Sequence, residues 1–300
     1  MAFAAFGIAH VLSVVLSGAL PSWSRLVVHS VHSGVFYVFR FMSLLARHNA
    51  LRLFFRIILA TGFFVALAAA PKRYTCVRAS AAVRIDGKLD DVAWRSAAWT
   101  DWFVDIEGPA KPRPRFRTRA KMLWDDEYFY IAAELEEPDV WATLTRHDSV
   151  IFHDNDFEVF LNPTGDTHNY FEFEINALNT GWDLFLDKPY RHGGKADNGW
   201  EIPGLRTAVA VNGTLNDPKD KDRRWTVEIA FPWEAFRERS GAGRPKPDDQ
   251  WRVNFSRVEW RVNEKHEKPP GSKEDNWVWS PQGVVNMHVP EMWGYVRFVR

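Results

Sequence analysis

Residues 154–163 read DNDFEVFLNP and residues 170–177 read YFEFEINA, and in both stretches polar and apolar side chains alternate one by one. A strand sends successive side chains to opposite faces, so Asp154, Asp156 and Glu158 share one face while Phe157, Val159 and Leu161 share the other. Likewise Glu172, Glu174 and Asn176 oppose Phe171, Phe173 and Ile175, and in WRVNFSRV Arg252, Asn254 and Ser256 oppose Trp251, Val253 and Phe255. The same period of two predicts strands at 81–85, 117–123, 128–135, 156–161, 170–177, 182–186, 207–211, 225–231, 251–258 and 293–299. Turn signals such as WDDEY, NPTGD and VNGT separate them. One short helix is expected at 232–239, where Pro232 suits a first helical turn. This profile specifies an all-β chain, an antiparallel β-sandwich of jelly-roll or immunoglobulin-like type. Residues 262–276, rich in Lys, Glu, Pro and Gly, are expected to form a long exposed loop.

The charge divides the chain. Nine of the 38 basic residues and none of the 38 acidic ones precede Asp86, so the zero net charge conceals a basic leader and a folded part near −9. A surface of that sign repels phosphate backbones and argues against nucleic acid as a partner. The leader is also apolar: Arg47, Arg52 and Arg56 precede IILATGFFVALAAA, with Ala66 and Ala68 placed as an A-x-A cleavage site. Residues 1–70 therefore read as a signal peptide or membrane anchor and residues 74–300 as one domain, secreted or anchored outside the cell, with organelle import as the alternative address. Any membrane contact is expected through the leader alone, and the domain is expected to be a monomer. Cys76, the sole cysteine, excludes an intrachain disulfide, so the core or a bound cation must hold the fold.

Carboxylates repeated on neighbouring strands repel unless something answers them: Arg252, Arg257, a cation, or ligand hydroxyls. The histidines fit no zinc spacing, and nucleophilic triads, phosphate loops and dinucleotide fingerprints are absent. Sugar binding asks for flat rings against pyranose faces and a few carboxylates and amides for the hydroxyls. Glu158, Glu174, Asn176 and Asn254 supply the polar groups, and Phe152, Trp277, Trp279, Met287 and His288 are the candidate lining. Asp154 and Asp156 are candidate calcium ligands or Arg partners at the rim.

The motifs IDGKLDDVAW at 85–94, AKMLWDDEYFYIAAEL at 120–135, DNDFEVFLNP, FEFEINA, WTVEIAFPW at 225–233, WRVNFSRVEW at 251–260 and the closing WGYVRF, in this order, resemble the family 9 carbohydrate-binding modules within the DOMON-like β-sandwich superfamily. The resemblance implies an antiparallel sandwich, structural calcium in some members, and a shallow slot that grips a sugar between two aromatic rings. Such modules are commonly appended to xylanases and related hydrolases. By the same resemblance Glu158 falls on the sugar-contacting glutamate, Asn254 on a strand amide near the slot, Phe152 on the first ring and Met287 on the opposing tryptophan, while Glu174 stands where the family has an arginine.

The expected function is non-catalytic binding of an oligo- or polysaccharide in polysaccharide breakdown. Three alternatives stand beside it: a glycoside hydrolase using Glu158 and Glu174, a structural or interaction domain with a degenerate slot, and a haem-binding domain of the superfamily, for which Met287 and His288 would be considered. Adjacent residues on a strand point apart, which makes those two poor joint ligands of one iron.

Overall fold

The computed structural model describes residues 70–300, so the leader expected ahead of Pro71 lies outside the described residues. The strands are β1 (Arg73–Arg78), β2 (Val104–Asp105), β3 (Thr118–Trp124), β4 (Tyr128–Glu136), β5 (Asp156–Asn162), β6 (Tyr170–Asn176), β7 (Gly181–Leu186), β8 (Ala196–Asp197), β9 (Arg206–Asn212), β10 (Arg224–Pro232), β11 (Gln250–Glu259), β12 (Asp275–Val278) and β13 (Gly294–Val299). They form one continuous sheet in the order β8-β7-β6-β5-β11-β13-β1-β3-β4-β10-β9, with β12 added to β11 and β2 to β12. The sheet folds over on itself as a β-sandwich. Its inner faces share one large core, in which Phe157, Val159, Phe173 and Phe255 from one half join Met122, Ile131, Val227 and Phe231 from the other. Removing each such side chain from water contributes about 1.5–3 kcal/mol.

The predicted strand at 81–85 is irregular chain. The place it would take beside β3 belongs to β1, which runs parallel to both β13 and β3 and closes the seam between the two halves. Residues 79–97 instead lie over the outer face of β3, β4 and β10, where Val83, Ile85, Leu89 and Trp94 pack. The helix α1 (Glu234–Ser240) starts two residues later than the period suggested, because Pro232 still completes β10, and it ends on Gly241 with φ 71°.

Trp277 and Trp279 are core residues, 3% and 2% exposed, which corrects their expected place beside an exposed loop. β12 pairs with β11, Trp277 opposite Arg257, and this register turns both indoles inward. Trp279 stands edge-on to Tyr74 at 6.4 Å and lies so close to Gly294 that a Cβ there would come within 2.4 Å of the indole. Arg257, a candidate to answer the acids, lies on the inner face at the same end of the sandwich. Its guanidinium stacks 5.2 Å from Trp277, donates to Glu137 (2.6 Å) and Glu259 (2.8 Å), and also reaches Thr118 and the Glu136 carbonyl. Arg252 does not answer the acids either, since it donates to the carbonyls of Gly165, Pro290 and Glu291.

Candidate functional site

The acidic face of β5 and β6 is buried, not solvated. Glu158 stands directly opposite Glu174 in the ladder, and Trp182 of β7 stands opposite Glu174 on its other side. Residues 285–288 and the turn Ile151–His153 close over this face to leave a pocket of about 260 Å³. Glu158, Glu172 and Glu174 floor it; Phe152, Trp182 and Tyr190 form an aromatic wall, and Met287 and His288 face them. Below, Phe160, Tyr170, Leu184, Leu186, Met287 and Trp293 make a second apolar cluster that holds the 287–293 segment against the sheet.

Local bonds place the wall. The Phe152 N–H donates to Glu174 Oε2 at 2.9 Å, and the Trp260 indole donates to the Phe152 carbonyl at 2.8 Å, so the turn that carries Phe152 is tied to the floor and to β11's end. The rings of Phe152 and Trp182 lie 6.3 Å apart. His288 Nδ1 is 3.0 Å from the Tyr170 hydroxyl. Burial, reinforced by Arg191, lowers the His288 pKa to about 4, so the ring is neutral near pH 7. A neutral ring that accepts from Tyr170 at Nδ1 carries its proton on Nε2, the nitrogen 3.9 Å from Glu172 Oε2.

The floor is electrostatically unanswered. Asp156, Glu158, Glu172 and Glu174 are each at most 5% exposed, and among the described residues no Lys or Arg forms an ion pair with any of them. Burial is the main cause that pushes all four carboxyls up, with Glu158 adding its charge against the other three. Glu158 itself is raised to about 7. Such a set must hold protons, a cation or hydroxyl donors.

The sequence-derived candidates separate into two groups. Phe152, Glu158, Glu174, Met287 and His288 line the pocket. Asn176, Asn254, Trp277, Trp279, Asp154 and Asp156 do not, and Asp156 is fully buried beside Glu158 and Glu174. Asn176 is spent on the 143–154 and 178–180 segments: it donates to the Leu144 carbonyl and to Asp154 and accepts from Leu178 and Thr180 N–H groups. Asn254 exchanges two 2.9 Å bonds with the Ser280 backbone. Asp154 accepts from the Thr143 N–H and hydroxyl and from the Leu144 N–H, which makes it an anchor for that segment. Sequence reasoning passed over Glu172, Trp182 and Tyr190. The alternation in FEFEIN put Glu172 beside Glu174, but nothing local marks which loop folds over a given face.

Of the two candidate calcium ligands, Asp156 fits the ion that the resemblance implies, together with Glu158 and Glu174, and Asp154 does not. One oxygen each of Asp156, Glu158 and Glu174 lies within 4.8 Å of the others, a spread that ligand distances of about 2.3–2.6 Å to one ion accommodate. Asp156 Oδ2 is buried there with no hydrogen-bond partner, whereas the Asp154 oxygens are already engaged.

Residues 85–299 match the family described as carbohydrate family 9 binding domain-like. A stretch of 151 residues, half of this chain, is 24% identical to the exoglucanase XynX of Acetivibrio thermocellus, of whose length it spans only 11%. Among solved structures, a Bacteroides uniformis protein described as carbohydrate-binding superposes with a TM-score of 0.57 at 14% identity, covering 76% of this chain and all of the other. A family 9 module from Caldicellulosiruptor kristjanssonii in complex with cellotriose superposes with a TM-score of 0.50 at 16% identity, covering 76% of this chain and 94% of that one; the same module is also known with glucose.

Proposed function

The chain belongs to the carbohydrate family 9 binding-domain-like family, and on that premise we propose that its pocket binds the end of an oligo- or polysaccharide without cleaving it. The observation that carries this reading is the floor of buried, unpaired carboxylates set against an aromatic wall. Sugar hydroxyls donate to carboxylates, and the C–H face of a pyranose packs on a ring such as Trp182 or Phe152. The pocket is smaller than the ~300–1,000 Å³ usual for drug-sized ligands, so it suits a terminal one- or two-ring portion of a longer chain. Relatives in complex with glucose and cellotriose, and one that is an exoglucanase, support a glucan and a role beside polysaccharide hydrolases.

Glu158 and Glu174 are cross-strand neighbours on one wall. A hydrolytic pair brackets the scissile bond from two sides, so this placement favours binding over turnover. Calcium held by Asp156, Glu158 and Glu174 would keep these acids ionised and offer its remaining positions to hydroxyl oxygens. Secretion through the basic, apolar leader goes with the same reading, since structural polysaccharides lie outside the cell, and the domain acts as a monomer.

Calorimetric titration with glucose, cello-oligosaccharides and xylo-oligosaccharides tests the proposal. At least one of them is expected to bind in the micromolar to millimolar range, and Trp182→Ala is expected to weaken it about tenfold or more, ~1.4 kcal/mol, with little change in melting temperature because Trp182 is only partly buried. Heats indistinguishable from dilution for every sugar would remove the reading.

A further inference from the structure

We infer that the protein carries a divalent transition-metal site, of the zinc or manganese class, at the edge of the sheet, built from His147, Asp183, Glu201 and Asp148. His147 Nε2 lies 3.0 Å from Glu201 Oε2, 3.4 Å from Asp183 Oδ1 and 3.4 Å from Asp148 Oδ1. Three acids converge on one imidazole nitrogen, and the chosen atoms of His147, Asp183 and Glu201 all lie within 4.8 Å of one another. An ion with bonds of about 2.1 Å holds neighbouring ligands roughly 3.0 Å apart in an octahedron and 3.4 Å apart in a tetrahedron, which are the separations found here between the imidazole nitrogen and the three carboxylate oxygens.

Two further observations point to a ligand. Asp183 is 1% exposed; its Oδ2 accepts from the Ile202 N–H, yet its Oδ1, on the cluster side, is buried without a hydrogen-bond partner. Asp148 Oδ1 is likewise buried and unpartnered. No Lys or Arg among the described residues pairs with any of the three acids, so they face the single imidazole.

The three ligand sources are separate pieces of chain. Asp183 sits on β7, turned to the opposite face from the pocket residues Trp182 and Leu184; Glu201 lies in the segment between β8 and β9; and His147 and Asp148 lie in the connection between β4 and β5, where the Asp148 N–H also donates to the Gly181 carbonyl at 3.1 Å. A metal here ties that connection to the sheet edge, five residues before Phe152. The imidazole separates this site from the oxygen-only floor of the pocket, because a nitrogen ligand suits zinc better than calcium or magnesium, while the three carboxylates beside it also admit manganese. This inference does not depend on saccharide binding.

Thermal unfolding of the chelator-stripped full chain, with Zn2+, Mn2+, Ca2+ or Mg2+ added and no sugar present, tests it. At a hundredfold excess over the dissociation constant, Zn2+ or Mn2+ is expected to raise the melting temperature by about 5–10 °C. The rise should vanish in His147→Ala, whose side chain is half exposed, and fall sharply in Asp183→Asn. In the unaltered protein, the His147 imidazole resonances should shift on adding Zn2+. A rise that persists in His147→Ala, a rise confined to Ca2+, or imidazole resonances that ignore Zn2+ would each overturn the assignment and leave a protonated histidine bridging three acids.

Discussion

Arg257→Met is expected to lower the melting temperature by roughly 6–20 °C. Arg257 is fully buried, and its guanidinium carries both Glu137 and Glu259, themselves 3% and 2% exposed. Methionine fills a similar volume, so the loss is not one of packing. It leaves Glu137 without a counter-charge and Glu259 with only the longer 3.7 Å pair to Arg115, and breaking a buried pair in this way costs about 3–5 kcal/mol. In a domain of this size each kcal/mol moves the transition by about 2–4 °C. The Glu137 carboxyl is already raised by burial and by Glu259, so removal of the arginine drives it to bind a proton. Differential scanning calorimetry of Arg257→Met beside the triple replacement Arg257→Met, Glu137→Met, Glu259→Leu checks the cause. The triple variant should recover most of the loss, because no buried charge remains. Equal instability of both would show that cation stacking on Trp277 and Phe116 outweighs the ion pairs.

In the calcium-free, chelator-treated protein, Glu158→Gln is expected to do the reverse to stability while disabling the pocket. The Glu158 carboxyl rises from its ordinary 4.5 to about 7 on folding, chiefly through burial. The folded state therefore binds more protons than the unfolded chain between those values, and stability, complete below pH 4.5, is lost as pH climbs to about 7. Glutamine cannot ionise and escapes that loss, which amounts to about 3 kcal/mol at pH 8. The variant should melt several degrees higher than the parent at pH 8 and at nearly the same temperature at pH 4. Its saccharide affinity should fall about tenfold or more, since one of the acceptors for sugar hydroxyls has become a mixed donor and acceptor. Gains in stability with losses in binding are what a strained functional group leaves behind when it is removed. Melting curves at the two pH values and titration at pH 8 read both halves, and a destabilised variant with unchanged affinity would make Glu158 structural.

Sheet strands and their inner faces were legible in the sequence because alternation is local: FEFEIN and FEVFL state which side chains go in, and the core follows. Short strands without alternation, β2, β8 and β12, were not, since only their partners define them. The missing β12 is also why Trp277 and Trp279 were expected at the surface. Part of the pocket could be read as well, for Glu158 and Glu174 share a face by period alone. What closes over that face could not: Tyr190, Trp182 and the 285–288 segment arrive from elements distant in sequence. Asn176, Asn254 and Asp154 carry the right chemistry but satisfy backbone groups of loops whose paths only the fold reveals. His147 shows the same limit in another form, because its partners lie 36 and 54 positions away and no spacing motif joins them.

The most direct measurement is a heteronuclear NMR titration that follows the tryptophan indole signals as glucose, cellotriose and xylotriose are added. The Trp182 indole should shift and saturate with at least one sugar, while the core indoles of Trp277, Trp279 and Trp225 stay in place. A Trp182 signal that does not move with any of the three, or saccharide-induced shifts confined to residues remote from β5–β7, would contradict a binding pocket on that face.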